Sequence, residues 1–262
     1  KEDDEDNKEN ETPDNQITSQ MVDDALDALT KEREGTLIVV PEAAASADCS
    51  TIQQSMMKHC SDMGNRFAIL DVPTGDKDKQ LDKRIEDFQN TVTNYFSYGA
   101  AYFPWLNTTV LTDRDLNGEL FTWDESVNTY KDKIGDEAFC KIVETLYNSD
   151  KGSLHSALYN GSSLYKHAIQ GVLKQLNLLP PSAAMAGIYT MVDHSRGVWK
   201  APANVSLNYV DSPAEDLDDD EQVNLNAPMN GKAVNVIRLF RSEGVKVWGA
   251  RTLDGNSLDW RY

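Results

Sequence analysis

The sequence has few long apolar stretches. No run reaches about 18 apolar residues, so we expect no membrane-spanning helix, which needs about 20. The first residues, KEDDEDNKENETPDN, are acidic and polar. A signal peptide instead begins with basic residues and continues into an apolar stretch. Because the chain begins at Lys1 rather than at methionine, we expect a fragment of a longer polypeptide.

Positive charge is also scarce. The 262 residues include 25 basic and 43 acidic side chains, for a formal net charge of −18. Nucleic acid is therefore excluded as a partner, because phosphate binding depends on clusters of Lys and Arg. Much of the acidic excess lies near the N-terminus and in residues 211–222 (DSPAEDLDDDEQ). Two interpretations remain open: solvated, disordered charge, or an acidic face that repels other copies until a basic partner binds.

Cysteine is rare, and the sequence contains no CxxC pair. Three cysteines, Cys49, Cys60 and Cys140, are an odd number and favour a reducing compartment. A zinc site formed by Cys49, His59 and Cys60 would match no known ligand spacing. Cys60 also lies on the apolar stripe of a predicted helix, where core packing explains it. GxGxxG, P-loop and HExxH motifs are absent as well. We therefore expect neither metal nor cofactor.

The sequence does contain a regular alternation of strands and helices. Continuously apolar runs at residues 36–42, 66–73 and 97–106 predict buried strands. Between them, residues 50–63 and 81–95 carry apolar side chains every three or four positions, as amphipathic helices do. Unbroken apolar strands separated by such helices are typical of an α/β fold with a mostly parallel sheet flanked by helices.

The second half of the chain is less regular. Residues 107–161 are polar, with one clear helix at 137–147, and predict an inserted, partly helical segment. A predicted helix over 162–176 follows, in which His167 is taken as a packed or surface residue rather than a ligand; it carries Leu164, His167, Ala168, Val172 and Leu176. The sequence therefore divides into an acidic, flexible N-terminal segment (1–35), an α/β core (36–106 and 162–262) and the insertion (107–161).

Two features complete the predicted core. After the prolines at 180–181, residues from Ser182 to about Asp193 predict a helix rich in small side chains, which would let it approach a neighbouring sheet closely. Residues 233–240 and 245–253 predict two strands. Because only RSEG separates them, we expect an antiparallel β-hairpin at the edge of the sheet, where a partner strand could dock.

The stretch MVDHSRGVWKAPAN raises the question of catalysis. Asp193, His194 and Ser195 are the residue types of a hydrolase triad. However, adjacent residues point about 100° apart on a helix and to opposite faces on a strand, whereas triad members must touch in series. A GxSxG nucleophile elbow is also missing from the sequence. We therefore expect no catalytic residues here.

The same stretch has the composition of a loop with a defined shape. Asp193 can accept hydrogen bonds near a helix end, Gly197 marks a turn, and Pro202 fixes an extended backbone. Trp199 supplies a large apolar anchor. Two roles remain open for this loop: capping its own sheet, or contacting a neighbouring subunit.

Three blocks, read together, resemble one protein family. They are PPSAAMAGIYTMVDHSRGVWKAPAN (180–204), LNAPMNGKAVNVIRLF (225–240) and VKVWGARTLDGNSLDWRY (245–262). The combination of KAPAN and WGARTL is similar to the contractile tail sheath proteins of phages, extracellular contractile injection systems and R-type tailocins. AAYFPWL (100–106) also looks like the family strand that precedes the PPS block.

The resemblance implies a subtilisin-like α/β core without a working triad. It also implies a structural role: copies polymerise in a six-fold helical assembly around an inner tube and contract to drive it through a target envelope. Baseplate and tail-terminator proteins would be further partners. The sheath would assemble in the bacterial cytoplasm and then form part of a virion tail or injection particle. The family's C-terminal domain is expected to be absent from this chain.

Subunit contacts should use the few basic residues and the loop tryptophan. The candidates are Arg196, Trp199, Lys200, Arg238, Arg241, Lys246 and Arg251. An ordinary exposed charge on a strand is the alternative for each basic residue of the hairpin. Two other functions also stay open: a degenerate serine-hydrolase-like enzyme, and a non-polymerising adaptor with the same fold.

Overall fold

The computed structural model describes residues 17–74 and 79–256. Within these ranges the helices are α1 (Ser19–Leu29), α2 (Cys49–Met63), α3 (Leu81–Thr91), α4 (Glu125–Tyr130), α5 (Glu137–Leu146), α6 (Leu154–Gly161), α7 (Ser163–Leu176), α8 (Ser182–Arg196) and α9 (Asp219–Asn226). The strands are β1 (Leu37–Val39), β2 (Phe67–Asp71), β3 (Gly99–Phe103), β4 (Leu106–Thr108), β5 (Leu178–Leu179), β6 (Val205–Ser206), β7 (Val210–Pro213), β8 (Val234–Phe240) and β9 (Gly244–Val247).

The chain forms two compact units. The first comprises the chain up to Trp105, Pro180–Leu207 and the part from Glu215 onward. The second comprises Leu106–Leu179 and Asn208–Ala214. The predicted insertion at 107–161 lies inside the second unit, which extends further because α7 packs on α6 and β7 pairs with β4.

A six-stranded sheet in the order β1-β2-β3-β8-β9-β6 forms the centre of the first unit. β1, β2, β3 and β8 are parallel, while β9 and β6 add antiparallel pairs. Every residue of β2 and β3 is buried. Strands buried on both faces need a continuously apolar sequence, which explains why these strands could be predicted from the sequence. The predicted α/β class with a mostly parallel sheet is confirmed.

Helix α2 shows how the sequence pattern becomes packing. Ile52, Met56 and Cys60 are fully buried in the core of the first unit. The helix ends at Gly64, whose φ of +70° is a left-handed conformation that glycine adopts at little cost. Burial raises the pKa of the Cys60 thiol to about 12, so this cysteine acts as a small apolar side chain.

The predicted hairpin forms, but its second strand is shorter than expected. β8 and β9 pair antiparallel, with Arg238 opposite Lys246. Regular pairing stops at Val247, whereas the sequence predicted a strand to Leu253. Further along the chain, the Asn235 side chain binds the backbone of Arg251. The Arg251 amide donates to Asn235 Oδ1 over 2.7 Å, and Asn235 Nδ2 donates to the Arg251 carbonyl over 2.8 Å.

The hairpin is not the edge of the sheet, and this expectation was wrong. β6 pairs with β9 through Val205 and Ser206. The amides of Asn204 and Leu207 extend this pairing by donating to the carbonyls of Val247 and Val245. The loop that precedes β6 therefore occupies part of the position where a partner strand was expected to dock.

Two acidic segments contain helices that the sequence analysis assigned to flexible chain. In the expected disordered stretch 211–222, α9 begins with a capping box in which Asp218 and Glu221 each accept from the other's backbone amide. Within the N-terminal segment, α1 packs through Val22 and Leu26. Capping and a few buried side chains contribute to the order of these helices despite their charge. Residues 1–16 lie outside the described chain.

The second unit has its own small core and sheet. β4 pairs antiparallel with β5 and β7. Its apolar cluster is formed by α5 and α6 with their flanking residues: Phe139, Val143, Tyr147, Leu154 and Leu158. Helix α7 contributes buried Ile169. The residues that marked this helix in the sequence are exposed, including Leu164 and Val172. Periodicity had identified the helix but not the side that packs.

Candidate contact surface

Helix α8 leads to the DHSRGVWKAPAN loop and is firmly fixed at its start. The Ser182 amide donates to Asp71 Oδ1 at the end of β2, over 2.7 Å. Along the helix, Met185, Ile188, Tyr189 and Val192 are buried. The hydroxyls of Tyr189 and Tyr102 share a buried hydrogen bond of 2.7 Å. Consequently the position of the loop follows from the position of the sheet.

Two of the small residues of α8 face away from the sheet, contrary to the expectation that they pack against one, while Ala184 and Ala186 are half-buried. Ala183 and Gly187 are exposed, and no heavy atom lies within 4 Å of the place where a Gly187 Cβ would stand. The larger residues point inward because they bury more apolar surface. The outward face of α8 is therefore flat and unpartnered within the described chain.

The triad residue types lie in sequence on the last turn of α8. Asp193, His194 and Ser195 belong to one continuous helix, which ends at Arg196. The Ser195 hydroxyl donates to the Met191 carbonyl over 2.7 Å. This hydroxyl is therefore hydrogen-bonded to the helix backbone. His194 lines a groove of about 820 Å³ along the start of β1 and β2, together with Thr36, Asn65 and Phe67.

The loop after α8 has a fixed shape. Gly197 has φ +90° and ψ 159°, a backbone conformation that residues other than glycine rarely adopt. The ring of Trp199 covers this glycine, because a Cβ there would lie 2.3–2.6 Å from ring atoms. Lys200 Nζ donates to the carbonyls of Ala201 and Ala203, over 2.8 and 3.2 Å. These contacts within the loop contribute to its fixed shape.

Replacing Gly197 with alanine is expected to destabilise the protein by about 1–3 kcal/mol, because the backbone must leave its glycine-specific conformation and the Trp199 ring must move. Thermal unfolding measures the change. Gly187→Ala is the matched control, since its site is helical and open, and it should raise stability by about 0.5–1 kcal/mol. Equal melting temperatures for both variants would contradict the loop geometry.

The predicted contact residues at the end of α8 and in the loop are all exposed. Arg196, Trp199 and Lys200 are all exposed, and 83% of the Trp199 side chain is accessible. Next to them, Val198 is 58% and Met191 47% exposed. Exposed aromatic and arginine side chains are enriched at protein-binding surfaces, so this loop is a candidate contact site.

The predicted contact residues of the hairpin are mostly bound within the protein. Arg238 Nη1 donates to Asp219 Oδ1 and Gln222 Oε1 of α9, over 2.7 and 2.6 Å. Lys246 Nζ donates to Asn204 Oδ1 over 3.1 Å and pairs with Glu243.

The two remaining basic candidates differ in exposure. Arg251 Nη1 donates to the Gly255 carbonyl over 3.3 Å, and the side chain is partly buried. Arg241, at the hairpin turn, is exposed. Arg238, Lys246 and Arg251 therefore form hydrogen bonds within the protein, whereas Arg241 is an exposed surface charge.

Sequence reasoning missed a buried arginine that holds α1 in place. Arg66 Nη1 donates to His59 Nε2 over 2.6 Å, and Nη2 donates to the Leu29 carbonyl over 2.8 Å and to the Glu32 carbonyl. Burial, and secondarily the Arg66 charge, lowers the pKa of His59. A lone arginine before an apolar strand carries no sequence signal of this role.

The described residues offer neither a metal-binding cluster nor a membrane-spanning helix. In the part of the chain that the structure describes, no group of three His, Cys, Asp or Glu side chains is arranged to hold a metal ion. None of the helices in residues 17–74 and 79–256 is long and apolar enough to cross a membrane. The exposed surface around Trp199 is therefore the feature that calls for a functional explanation.

Comparison with known proteins gives a consistent set of matches. A sequence profile of the phage tail sheath protein central domain matches residues 15–253. A putative prophage major tail sheath protein of Pseudomonas aeruginosa (strain UCBPP-PA14) is 33% identical over 81 residues, which are 30% of this chain and 20% of that protein.

Solved structures show the same fold. The sheath complex of an extracellular contractile injection system (PVC) in the contracted state aligns with a TM-score of 0.54 and 24% identity, over 94% of this chain and 46% of that one. The helical sheath of the anti-feeding prophage (AFP) in the contracted state aligns with a TM-score of 0.53 and 22% identity, over 95% and 48%. The chain thus spans about half the length of these two solved chains.

Proposed function

The chain belongs to the phage tail sheath protein family, and from that premise we propose that it works as a structural subunit of a contractile sheath. Many copies would polymerise around an inner tube and contract to drive the tube through a target envelope. The observation that carries the proposal is the family match over residues 15–253. The solved relatives with this fold include contracted sheaths of two contractile systems.

Such a subunit performs mechanical work without bond-making chemistry. The sequence contains no nucleotide-binding motif, so the free energy of contraction would be stored in the packing between copies. If each copy gained only ~1 kcal/mol in the contracted lattice, a tube of hundreds of copies would release on the order of hundreds of kcal/mol, because small coupled differences add. Subunits that rotate as rigid bodies suit this mechanism.

Rigidity is well supported around the loop that follows α8. The helix is tied to β2 at Ser182, and the loop returns to β9 at Asn204. We assign contacts between copies to the exposed candidates Arg196, Trp199, Lys200 and Arg241. For Arg238, Lys246 and Arg251 we propose a supporting role, because their hydrogen bonds hold α9, the loop and the chain after β9 in place.

The remaining partners follow from the same role. An inner tube protein, a baseplate and a tail terminator would complete the particle. One solved relative is a baseplate of the anti-feeding prophage. Assembly in the bacterial cytoplasm, followed by incorporation into a virion tail or injection particle, is the corresponding localisation.

Electron microscopy of the full-length protein, alone and with its tube partner, tests the proposal. Helical tubes or contracted rings are the expected result. Trp199→Ala should reduce tube formation about tenfold or more, because loss of a central aromatic anchor costs about 2 kcal/mol at a contact. Leu120→Ala, a change at another exposed apolar side chain, is the control and should assemble normally. Dispersed monomers of the unmodified protein under all these conditions would contradict the proposed function.

A further inference from the structure

One buried arginine connects two helices of the first unit by way of a histidine. Arg66 precedes β2, and its Nη1 donates to Nε2 of His59 on α2 over 2.6 Å. Its Nη2 donates to the carbonyl of Leu29, at the end of α1, over 2.8 Å, and to the carbonyl of Glu32 just beyond. Arg66 and His59 are both buried. The same guanidinium therefore holds the end of α1 and uses an imidazole nitrogen as one of its acceptors.

The contact between these two side chains requires one protonation state of the histidine. A guanidinium has only N–H donors and stays charged at all ordinary pH values. Nε2 of His59 must therefore accept, which it can do only in the neutral imidazole that carries its proton on Nδ1. If His59 bound a second proton, two donors and two positive charges would face each other across 2.6 Å. The hydrogen bond from Arg66 and a charged imidazole are therefore incompatible.

The surroundings of His59 also favour the neutral imidazole. Burial, and then the Arg66 charge, lower the pKa of His59 from its ordinary 6.5. Two carboxylates act in the opposite direction, Asp62 on α2 and Asp27 on α1, but both are exposed, so solvent screens them. Because the pKa is lower in the folded protein, the stabilising contribution of His59 is complete above about pH 6.5 and is lost as pH falls below that value.

The two ends of α1 are attached in different ways. At the start, the Ser19 amide donates to Asp48 Oδ2 over 2.9 Å. In the middle, Val22 and Leu26 are buried. Residues 27–34, which include the last turn of α1, are all exposed. Since no side chain of this stretch is buried, the hydrogen bonds that Arg66 donates to its carbonyls are a main attachment of this end of the helix.

From this geometry we infer that the contact between His59 and Arg66 is a pH-sensitive switch, which opens when His59 binds a proton and frees the end of α1 from the first unit. The proton adds to Nε2, so the guanidinium loses an acceptor and is repelled by the new charge. Because the guanidinium is a single rigid plane, it cannot move away from His59 and keep both carbonyl contacts unchanged. The start of α1 stays attached at Asp48. The inference concerns the subunit itself and does not rest on the proposed function.

Hydrogen exchange followed by mass spectrometry tests the switch. Protection factors, which correct for the direct effect of pH on exchange, are compared at pH 7.5 and pH 5.5. We expect the protection of the amides at 28–32 to fall by up to about tenfold at pH 5.5, because one proton-binding site sets that limit one pH unit below 6.5. The protection of β2 should not fall. His155, another buried histidine, lies on α6 in the second unit, so the region that loses protection tells the two apart.

Three variants assign the response to the histidine. His59→Gln can still accept from Arg66 through its amide oxygen and does not titrate, so its amides at 28–32 should be equally protected at both pH values. His167→Gln, the same change at an exposed histidine of α7, is the matched control and should keep the full acid response. Arg66→Met removes the bonds to both carbonyls and should leave 28–32 weakly protected at either pH. Protection of β2 shows that this variant is folded, and His59→Gln decides the question if it is not.

Nuclear magnetic resonance of the imidazole nitrogens provides a readout that does not depend on exchange. At pH 7.5 His59 should carry its proton on Nδ1, and it should accept a second proton only below pH 6.5, as the end of α1 loses protection. A proton on Nε2 at pH 7.5 would overturn the inference. So would a loss of protection below twofold at 28–32, an equal loss in His59→Gln, or a loss that extends equally to β2.

Discussion

Asn235→Ala is expected to lower the free energy of unfolding by about 3–5 kcal/mol, because it removes several hydrogen bonds inside the core. The Asn235 side chain is fully buried on β8. Its Nδ2 donates to the Ala101 carbonyl of β3 over 3.1 Å and to the Arg251 carbonyl over 2.8 Å. Its Oδ1 accepts from the Arg251 amide. Alanine would leave backbone groups of two segments unpaired, at about 1–3 kcal/mol each.

Chemical denaturation measures this loss, and two variants interpret it. Asn235→Asp keeps the acceptor for the Arg251 amide but loses both donors and adds a buried charge, so it should also be strongly destabilised. Asn65→Ala removes an exposed asparagine and should change stability by less than about 0.5 kcal/mol. A loss below 1 kcal/mol for Asn235→Ala would show that the chain after β9 is held by other contacts.

The contribution of Asp71 to the stability of the protein is expected to fall as pH rises from about 4 to 7, because this carboxyl is buried. Burial raises the pKa of this carboxyl to about 7, and hydrogen bonds from Ser182 oppose the shift. In the unfolded chain the group releases its proton near its ordinary pKa of 3.8. Between these values the folded protein binds one proton more. The free energy of unfolding therefore falls by up to about 1.4 kcal/mol per pH unit and levels off above pH 7.

Asp71→Asn isolates this effect. Asparagine can still accept from the Ser182 amide through Oδ1 and carries no charge. We expect the variant to be more stable than the unmodified protein at pH 8 and to lack this component of the pH slope. The groups that act on Asp71 are few: Glu42 raises its pKa, and the nearby Cys49 thiol has its own pKa raised to about 11, mainly by burial. Identical slopes for the two proteins between pH 5 and 7 would contradict a buried acid at this position.

The family blocks recognised in the sequence have structural reasons in this fold. In AVNVIRLF, Asn235 fixes the chain that follows β9. In WGARTL, Gly249 lies so close to β8 that a Cβ would stand 2.7 Å from Asn235 Oδ1. In SRGVWK, Gly197 provides the turn beneath Trp199. Residues of these blocks therefore hold chain segments in fixed positions. A rigid subunit of this kind suits the proposed role in a contractile sheath.

Local pattern was informative where one segment alone decides the outcome. β2 and β3 are buried on both faces, so their sequences are continuously apolar and predicted strands correctly. Gly64 and the residues Ile52, Met56 and Cys60 likewise defined α2. Failures occurred where a second segment decides. The hairpin was expected at the edge of the sheet, and only the pairing of β6 with β9 shows that it is not.

The contact residues show the same division. Arg196, Trp199 and Lys200 were predicted as contact residues and are all exposed, while contact with another copy stays a prediction. Arg238 and Lys246 have the same chemistry, yet partners distant in sequence, Asp219 and Asn204, hold them within the subunit. Nothing in the local sequence of a strand arginine reveals whether such a partner is present.

By itself, the sequence determined the class of fold, the family and the loop that follows α8. Continuously apolar strands, helical periodicity and glycine turns are all visible in residues that are neighbours along the chain. Tertiary structure alone decided that β6 covers the hairpin, that Asp71 fixes the start of α8, and that α1 and α8 each leave one face open. Those outcomes depend on segments far apart in sequence, whose hydrogen bonds and burial exist only once the sheet has formed.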